Sequence, residues 1–154
     1  MTRATGRARA SRVAVVVLDA GWRKSLPGVE RLVRKAARAA LGVRRSSSLV
    51  VALSNDREVR KLNARHRRKD RPTNVLSYPS GERAFLGDVV LARQTVWREA
   101  VSQGKKPADH ISHLVVHGTL HLLGYDHETG KADAARMEAL ERRILSRLGI
   151  ADPY

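Results

Sequence analysis

Apolar positions along the chain fall into short valine-rich runs and longer stretches with helical spacing, and the two patterns alternate. Val13 to Leu18 is the longest unbroken apolar run and reads as a strand. Pro27 then sets up a helix through Leu41, with Gly42 placed as its stop. Ser48 to Leu53 reads as a second strand. Asn55, three residues ahead of Glu58, has capping-box spacing and starts a helix to about Arg65. Residues 66–73 lack periodicity and end at Arg71-Pro72, which predicts a basic, exposed loop. A short extended segment, Asn74 to Tyr78, follows until Pro79 terminates it. Gly87 to Leu91 reads as another strand, and Arg93 to Gln103 as a helix that Gly104 and Pro107 punctuate. From about Ala108 a helical pattern passes through His110, His113, Leu114, His117, Leu120 and His121 to Leu123, where Gly124 can take the left-handed conformation that ends it. A last helix covers about Lys131 to Leu148. Strands interleaved with helices in this order predict a small α+β or α/β sheet with helices packed around it.

Composition narrows the chemistry. With 154 residues and 42% hydrophobic content, one domain with its own core is expected, spanning residues 13–154 behind a basic tail of residues 1–12. The absence of cysteine excludes disulfides and thiolate metal sites, so a tightly held transition metal must use His, Asp or Glu. The six-residue apolar run is far below the roughly 20 needed to cross a bilayer. The basic start (Arg3, Arg7, Arg9, Arg12) leads into too short an apolar stretch for a secretory signal. A cytoplasmic protein with no membrane contact is therefore expected. An organelle transit peptide is the alternative for an Arg-rich, acid-free start.

Net charge is +15, and all of it lies in residues 1–71, because residues 72–154 carry equal numbers of each sign. One half of the chain is a polycation. Such an excess suits a polyanion, RNA or DNA foremost, since each neutralised phosphate releases counterions. Solubility alone is the competing explanation. Six aromatic residues are too few for an extended base-stacking platform, so phosphates are gripped first.

The segment His117 to His127 carries the most specific signal. Two imidazoles four residues apart lie on one helix face, separated by a rise of about 6 Å, and can point at one ion. His113 would stand about 12 Å along the axis from His121, too far to share that ion, so the helix must end and fold back. Gly124 supplies the reversal and His127 completes three nitrogen ligands with one position open, as a catalytic zinc requires. His113 is then a second-layer partner or a core residue. The spacing HxxxHxxGxxH repeats that of the metzincin metalloproteases. One departure matters. Where that motif has a Glu acting as general base, this chain has Gly118, so peptide hydrolysis loses its base. A metal that lowers the pKa of bound water still suits a phosphodiester. Asp126 and Asp88 are the carboxylates that could position water or orient an imidazole; turn and strand-edge roles compete with that reading.

Together with Asn74-Val75-Leu76-Ser77-Tyr78-Pro79, Gly87-Asp88 and Lys69-Asp70-Arg71-Pro72-Thr73, the histidine segment resembles the bacterial YbeY family of metal-dependent endoribonucleases. The resemblance covers roughly residues 50–154, and Asp152-Pro153-Tyr154 belongs to it. It implies a small α+β fold with a mixed sheet of about four strands, with the metal site on a helix and the turn after it. It further implies one zinc on His117, His121 and His127, and cleavage of single-stranded RNA in ribosomal RNA maturation, at the 3′ end of the small-subunit RNA, and in ribosome quality control. The family's important arginine falls on Arg67. The run His66-Arg67-Arg68 departs from the family's aromatic, Arg, Gly pattern, which leaves Arg68 as the alternative, and Tyr78 stands where Phe is more usual.

Arg67 and His117 are thus the catalytic candidates, with Arg67 facing the charge that builds on the phosphate. Arg60, Lys61, Arg65, Arg68 and Lys69 are the candidates for holding the RNA strand. Two rival readings stand beside the nuclease: an RNA-binding or ribosome-binding assembly factor with a structural metal, and a zinc peptidase.

Overall fold

The computed structural model describes residues 12–42, 47–67, 73–126 and 129–154, with the side chain of Arg67 left aside. The elements in order are β1 (Arg12–Val17), α1 (Gly21–Ser25), α2 (Val29–Leu41), β2 (Ser48–Ser54), α3 (Asp56–Arg67), β3 (Val75–Pro79), β4 (Phe85–Ala92), α4 (Arg93–Ser102), α5 (Pro107–Leu122) and α6 (Lys131–Arg147). The four strands form one sheet in the order β1-β2-β4-β3. β1, β2 and β4 run parallel, and β3 returns antiparallel along β4. This is the mixed α+β sheet that the sequence predicts.

Parallel neighbours need crossover helices, and the alternation of side chains along each strand decides what each helix covers. Val89 and Leu91 of β4 point into the main core with Val51 and Leu53 of β2, against Val33, Ala36 and Ala37 of α2 and Ile111, Val115 and Val116 of α5. Val90 and Ala92 point the other way and meet Val59 of α3 with Leu76 of β3. α2 and α5 therefore share one face of the sheet, α3 covers the opposite one, and β3 is the edge strand between them.

The local signals behave as their chemistry requires. Gly42 ends α2 with φ +59°, and the Asn55 side chain accepts the N–H of Glu58 at 2.9 Å to open α3. Several boundaries differ from expectation: α3 runs to Arg67, β3 includes Pro79 rather than stopping before it, and β4 begins at Phe85, two residues ahead of Gly87. Arg12, assigned to the tail, is the first residue of β1 and pairs with Ser48; residues 1–11 lie outside the described residues. Helix α1 is too short to show periodicity. It exists because Trp22 is fully buried there, with its indole N–H donating to the Ser54 carbonyl at 2.7 Å. Among the described residues no helix is long and apolar enough to cross a membrane.

Candidate metal and RNA site

Helix α5 begins at Pro107, in the first turn where a missing N–H costs nothing, and runs 16 residues to Leu122. Its close packing on the sheet explains the residue at 118. A Cβ on Gly118 would lie 2.7 Å from Val89 Cγ1 and 3.2 Å from Ser77 Oγ. The Ser77 hydroxyl also donates to the Gly118 carbonyl at 3.2 Å. The position where metzincins carry their base thus points into the sheet here, and no Glu side chain fits it.

Helix α5 ends in a Schellman motif: the N–H of Tyr125 returns to the Leu120 carbonyl at 3.1 Å and that of Gly124 to His121 at 3.0 Å. Gly124 makes this possible with φ +101°. The reversal also brings the Tyr125 carbonyl to 3.0 Å from Nδ1 of His121, where it accepts a hydrogen bond from the Nδ1 proton and leaves the ring lone pair on Nε2.

His117 is held the same way by a different acceptor. Its Nδ1 lies 2.5 Å from Oε1 of Glu141, a residue on α6 with no exposed surface. Nε2 of His113 approaches the other oxygen, Oε2, at 3.4 Å, and the Tyr154 hydroxyl donates to that oxygen too. Burial alone would push the Glu141 carboxyl up. The hydrogen bonds from His113, His117 and Tyr154, with the charge interaction with His117, outweigh it and hold the group down to about 2. The Tyr154 phenol moves the other way, raised by burial and by donating to that carboxylate.

Glu141 was not among the sequence candidates, since Leu140-Glu141-Arg142-Arg143 looks like an ordinary surface run. The available signal was periodicity. Met137, Glu141, Ile144 and Leu145 occupy one stripe of α6, and a charge among three buried apolar residues is out of place unless it has a task. Tyr125, as a carbonyl acceptor, had no such signal.

The donor chemistry suits a metal. His117 and His121 both have Nδ1 occupied by an oxygen acceptor, the arrangement that fixes the tautomer and orientation of ligand imidazoles. Moreover, Glu141 is a buried carboxylate with no Lys or Arg partner among the described residues. A buried anion held by His and Tyr donors needs positive charge nearby, which an imidazolium or a cation on the far side of the imidazole can supply. Among the described residues no three His, Cys, Asp or Glu side chains are grouped as a metal cage; His127, the third expected ligand, lies outside them. His110, one turn earlier, has a different role. It is buried, pairs with Glu99 at 2.9 Å, and its ring is lowered below the ordinary imidazole value, mainly by burial.

The remaining candidates are spread over two faces. Asp126 lies just after the reversal, beside Tyr125, Thr129 and Arg136 in a shallow depression. Asp88 pairs in register with Tyr78 across β3 and β4 and shares the side of β4 with Val90, the α3 face rather than the α5 face. Arg60, Lys61 and Arg65 are exposed on α3, where Lys61 pairs with Glu58 at 3.5 Å. Arg67 is the last residue of α3, and its neighbour His66 packs edge-on against Tyr78 with ring centroids 5.3 Å apart, which sets the end of that helix over β3. Arg68 and Lys69 lie outside the described residues.

The chain matches the family described as Endoribonuclease YbeY over residues 22–149. Curated relatives with that name include one from Azorhizobium caulinodans, 47% identical over 92% of this chain and 95% of its own length. Another, from Parvibaculum lavamentivorans, is 50% identical over 90% of this chain and 83% of its own. Among solved structures, a Thermotoga maritima protein determined in solution is similar in fold, with a TM-score of 0.56 at 23% identity, covering 92% of this chain and 97% of that one.

Proposed function

Since the chain belongs to the Endoribonuclease YbeY family, we propose that it is a zinc-dependent endoribonuclease that cuts single-stranded RNA, working in ribosomal RNA maturation at the 3′ end of the small-subunit RNA and in ribosome quality control. The observation that carries the metal part of this reading is the buried Glu141 carboxylate on Nδ1 of His117, with no Lys or Arg to neutralise it among the described residues. His117, His121 and His127 would hold the ion. When bound, zinc supplies Lewis-acid and water-activating chemistry at the open coordination position.

The chain's own residues do the rest. Glu141 and the Tyr125 carbonyl retain the Nδ1 protons of the two imidazoles and prevent the rings from turning. Arg67, or Arg68 beside it, offers a planar guanidinium to the phosphate oxygens as negative charge builds in the transition state. The exposed bases of α3 draw in the backbone by counterion release. The +15 charge confined to residues 1–71 supports RNA as the partner, because the balanced half of the same chain shows that the excess is local rather than a general compositional habit.

The rival readings lose support. A missing base at position 118 would favour a structural metal, yet helix–sheet packing by itself already favours a glycine there. The same packing leaves a peptidase without its usual base.

Metal analysis joined to cleavage of precursor ribosomal RNA tests the proposal. Wild type should carry about one zinc per chain and cut the RNA. His121→Ala should lose both zinc and cleavage, and Arg67→Ala should keep zinc with slower turnover. Equal cleavage by both variants would reject it.

A further inference from the structure

Residues 152–154 follow α6 and fold back over its buried carboxylate, and four directed contacts hold them there. Asp152 accepts from Arg142 of α6 with Nε at 3.1 Å from Oδ1 and 3.0 Å from Oδ2. The same carboxylate accepts the backbone N–H of Tyr154 at 2.9 Å. The Arg142 guanidinium carbon stands 5.3 Å from the Tyr154 ring centroid, within cation–π reach. On the other side, Lys105 from the α4–α5 turn donates to the Pro153 carbonyl at 3.1 Å.

These contacts aim one atom. Tyr154 is 53% exposed, so hydrophobic burial is not what fixes it. Its ring meets His113 edge-on with centroids 5.5 Å apart, and its hydroxyl turns inward to Oε2 of Glu141. The two donors on Oε2 are unequal. At 3.4 Å, Nε2 of His113 lies beyond the usual N–H···O range of about 2.7–3.2 Å, whereas a hydroxyl on a carboxylate is a charge-assisted bond of roughly double the ordinary strength. Tyr154 is therefore the group that settles which way the carboxylate faces.

We propose that Tyr154 is a positioning residue for the metal site: by taking Oε2 of Glu141 it commits Oε1 to the Nδ1 proton of His117, and so keeps that ring's lone pair on Nε2, the ligand nitrogen. Asp152, Arg142 and Lys105 act one step further out, as the clasp that keeps the phenol in place. The inference rests on the metal reading given above, and it assigns residues 152–154 a part that the sequence pattern alone did not.

Nitrogen chemical shifts of the His117 ring in the metal-free full chain, together with zinc affinity by chelator competition, test it. In the neutral wild-type ring the proton should sit on Nδ1, and Tyr154→Phe should mix in the other tautomer. Zinc binding should weaken about three- to tenfold in Tyr154→Phe, less than the 10–100-fold typical of a direct partner's loss. Asp152→Ala, which retains the hydroxyl but loosens its anchor, should fall between wild type and Tyr154→Phe. Added to Glu141→Gln, Tyr154→Phe should cause no further loss. Unchanged shifts and affinity in Tyr154→Phe, or an equal loss in the Glu141→Gln background, would overturn the inference. A wild-type chain that takes up no zinc would instead defeat the functional reading, and the metal-free ring shifts would still decide the role of Tyr154.

Discussion

Replacing Glu141 with Gln tests the site at its most constrained point. The substitution conserves shape and removes one acceptor oxygen, yet the carboxylate now answers His117, His113 and Tyr154 at once. An amide offers one oxygen and an NH2 group, so it can accept from only one of His117 and Tyr154, and the other donor goes unanswered unless its ring or hydroxyl turns to accept instead. Leaving such a donor unanswered costs about 1–3 kcal/mol. The metal-free fold should therefore melt several degrees lower, at roughly 2–4 °C per kcal/mol for a chain of this size. Zinc should suffer separately. Loss of a ligand's outer hydrogen-bond partner weakens binding about 10–100-fold, or about 1.4–2.8 kcal/mol at 1.4 kcal/mol per decade. Chelator competition with a zinc indicator reads the second effect and thermal unfolding in chelator reads the first. If Glu141→Gln binds zinc within twofold of wild type and melts at the same temperature, the pair formed by His117 and Glu141 has no structural or ligand-orienting role, and the argument for a metal here loses its main support.

Other consequences can be checked independently. Gly118→Ala gains about 1 kcal/mol of helix propensity but drives a methyl to 2.7 Å from the fully buried Val89; overpacking of about 1–3 kcal/mol should win, giving a lower urea midpoint that Val89→Ala partly restores. Asp19 is held below the ordinary carboxyl range, first by the Gly21 N–H at 2.8 Å, with burial opposing and Arg93 and Asn55 adding to the lowering. Its folded pKa is depressed, so it stabilises the chain above the unfolded value near 4 and that contribution fades as pH falls; acid titrations of stability should show a shallower loss below pH 4 in Asp19→Asn. Neutralising Arg60 and Arg65 together should reduce the slope of log affinity against log salt for single-stranded RNA by about 1.4, at roughly 0.7 per phosphate contact, and an unchanged slope would remove α3 from the RNA path.

Much of the architecture could be read before any coordinates, because its signals are local. Strand runs, the Asn55 cap, Gly42 and the reversal at Gly124 are each decided within a few residues, and the structure realises each of them. What escaped depends on contacts distant in the chain. Helix α1 exists for the sake of Trp22 meeting Ser54, 32 residues away. Glu141 meets His117 across 24 residues, so no window short enough to show periodicity contains both.

Position 118 shows why local reading also misassigns causes. Compared with the metzincin pattern, its glycine looks like a deleted base and hence an argument about chemistry. Val89 and Ser77, which press on it, lie 29 and 41 residues earlier, and they make it an argument about how closely α5 approaches the sheet. The two accounts are connected. α5 rests against β3 and β4 at Gly118, and this contact fixes the height of the residue next to it, His117, whose Nδ1 reaches Glu141 on α6. Widening that contact with any side chain would shift His117 relative to Glu141, so Gly118→Ala should weaken zinc binding as well as the fold. A variant destabilised to the expected extent but with wild-type zinc affinity would separate the packing from the site.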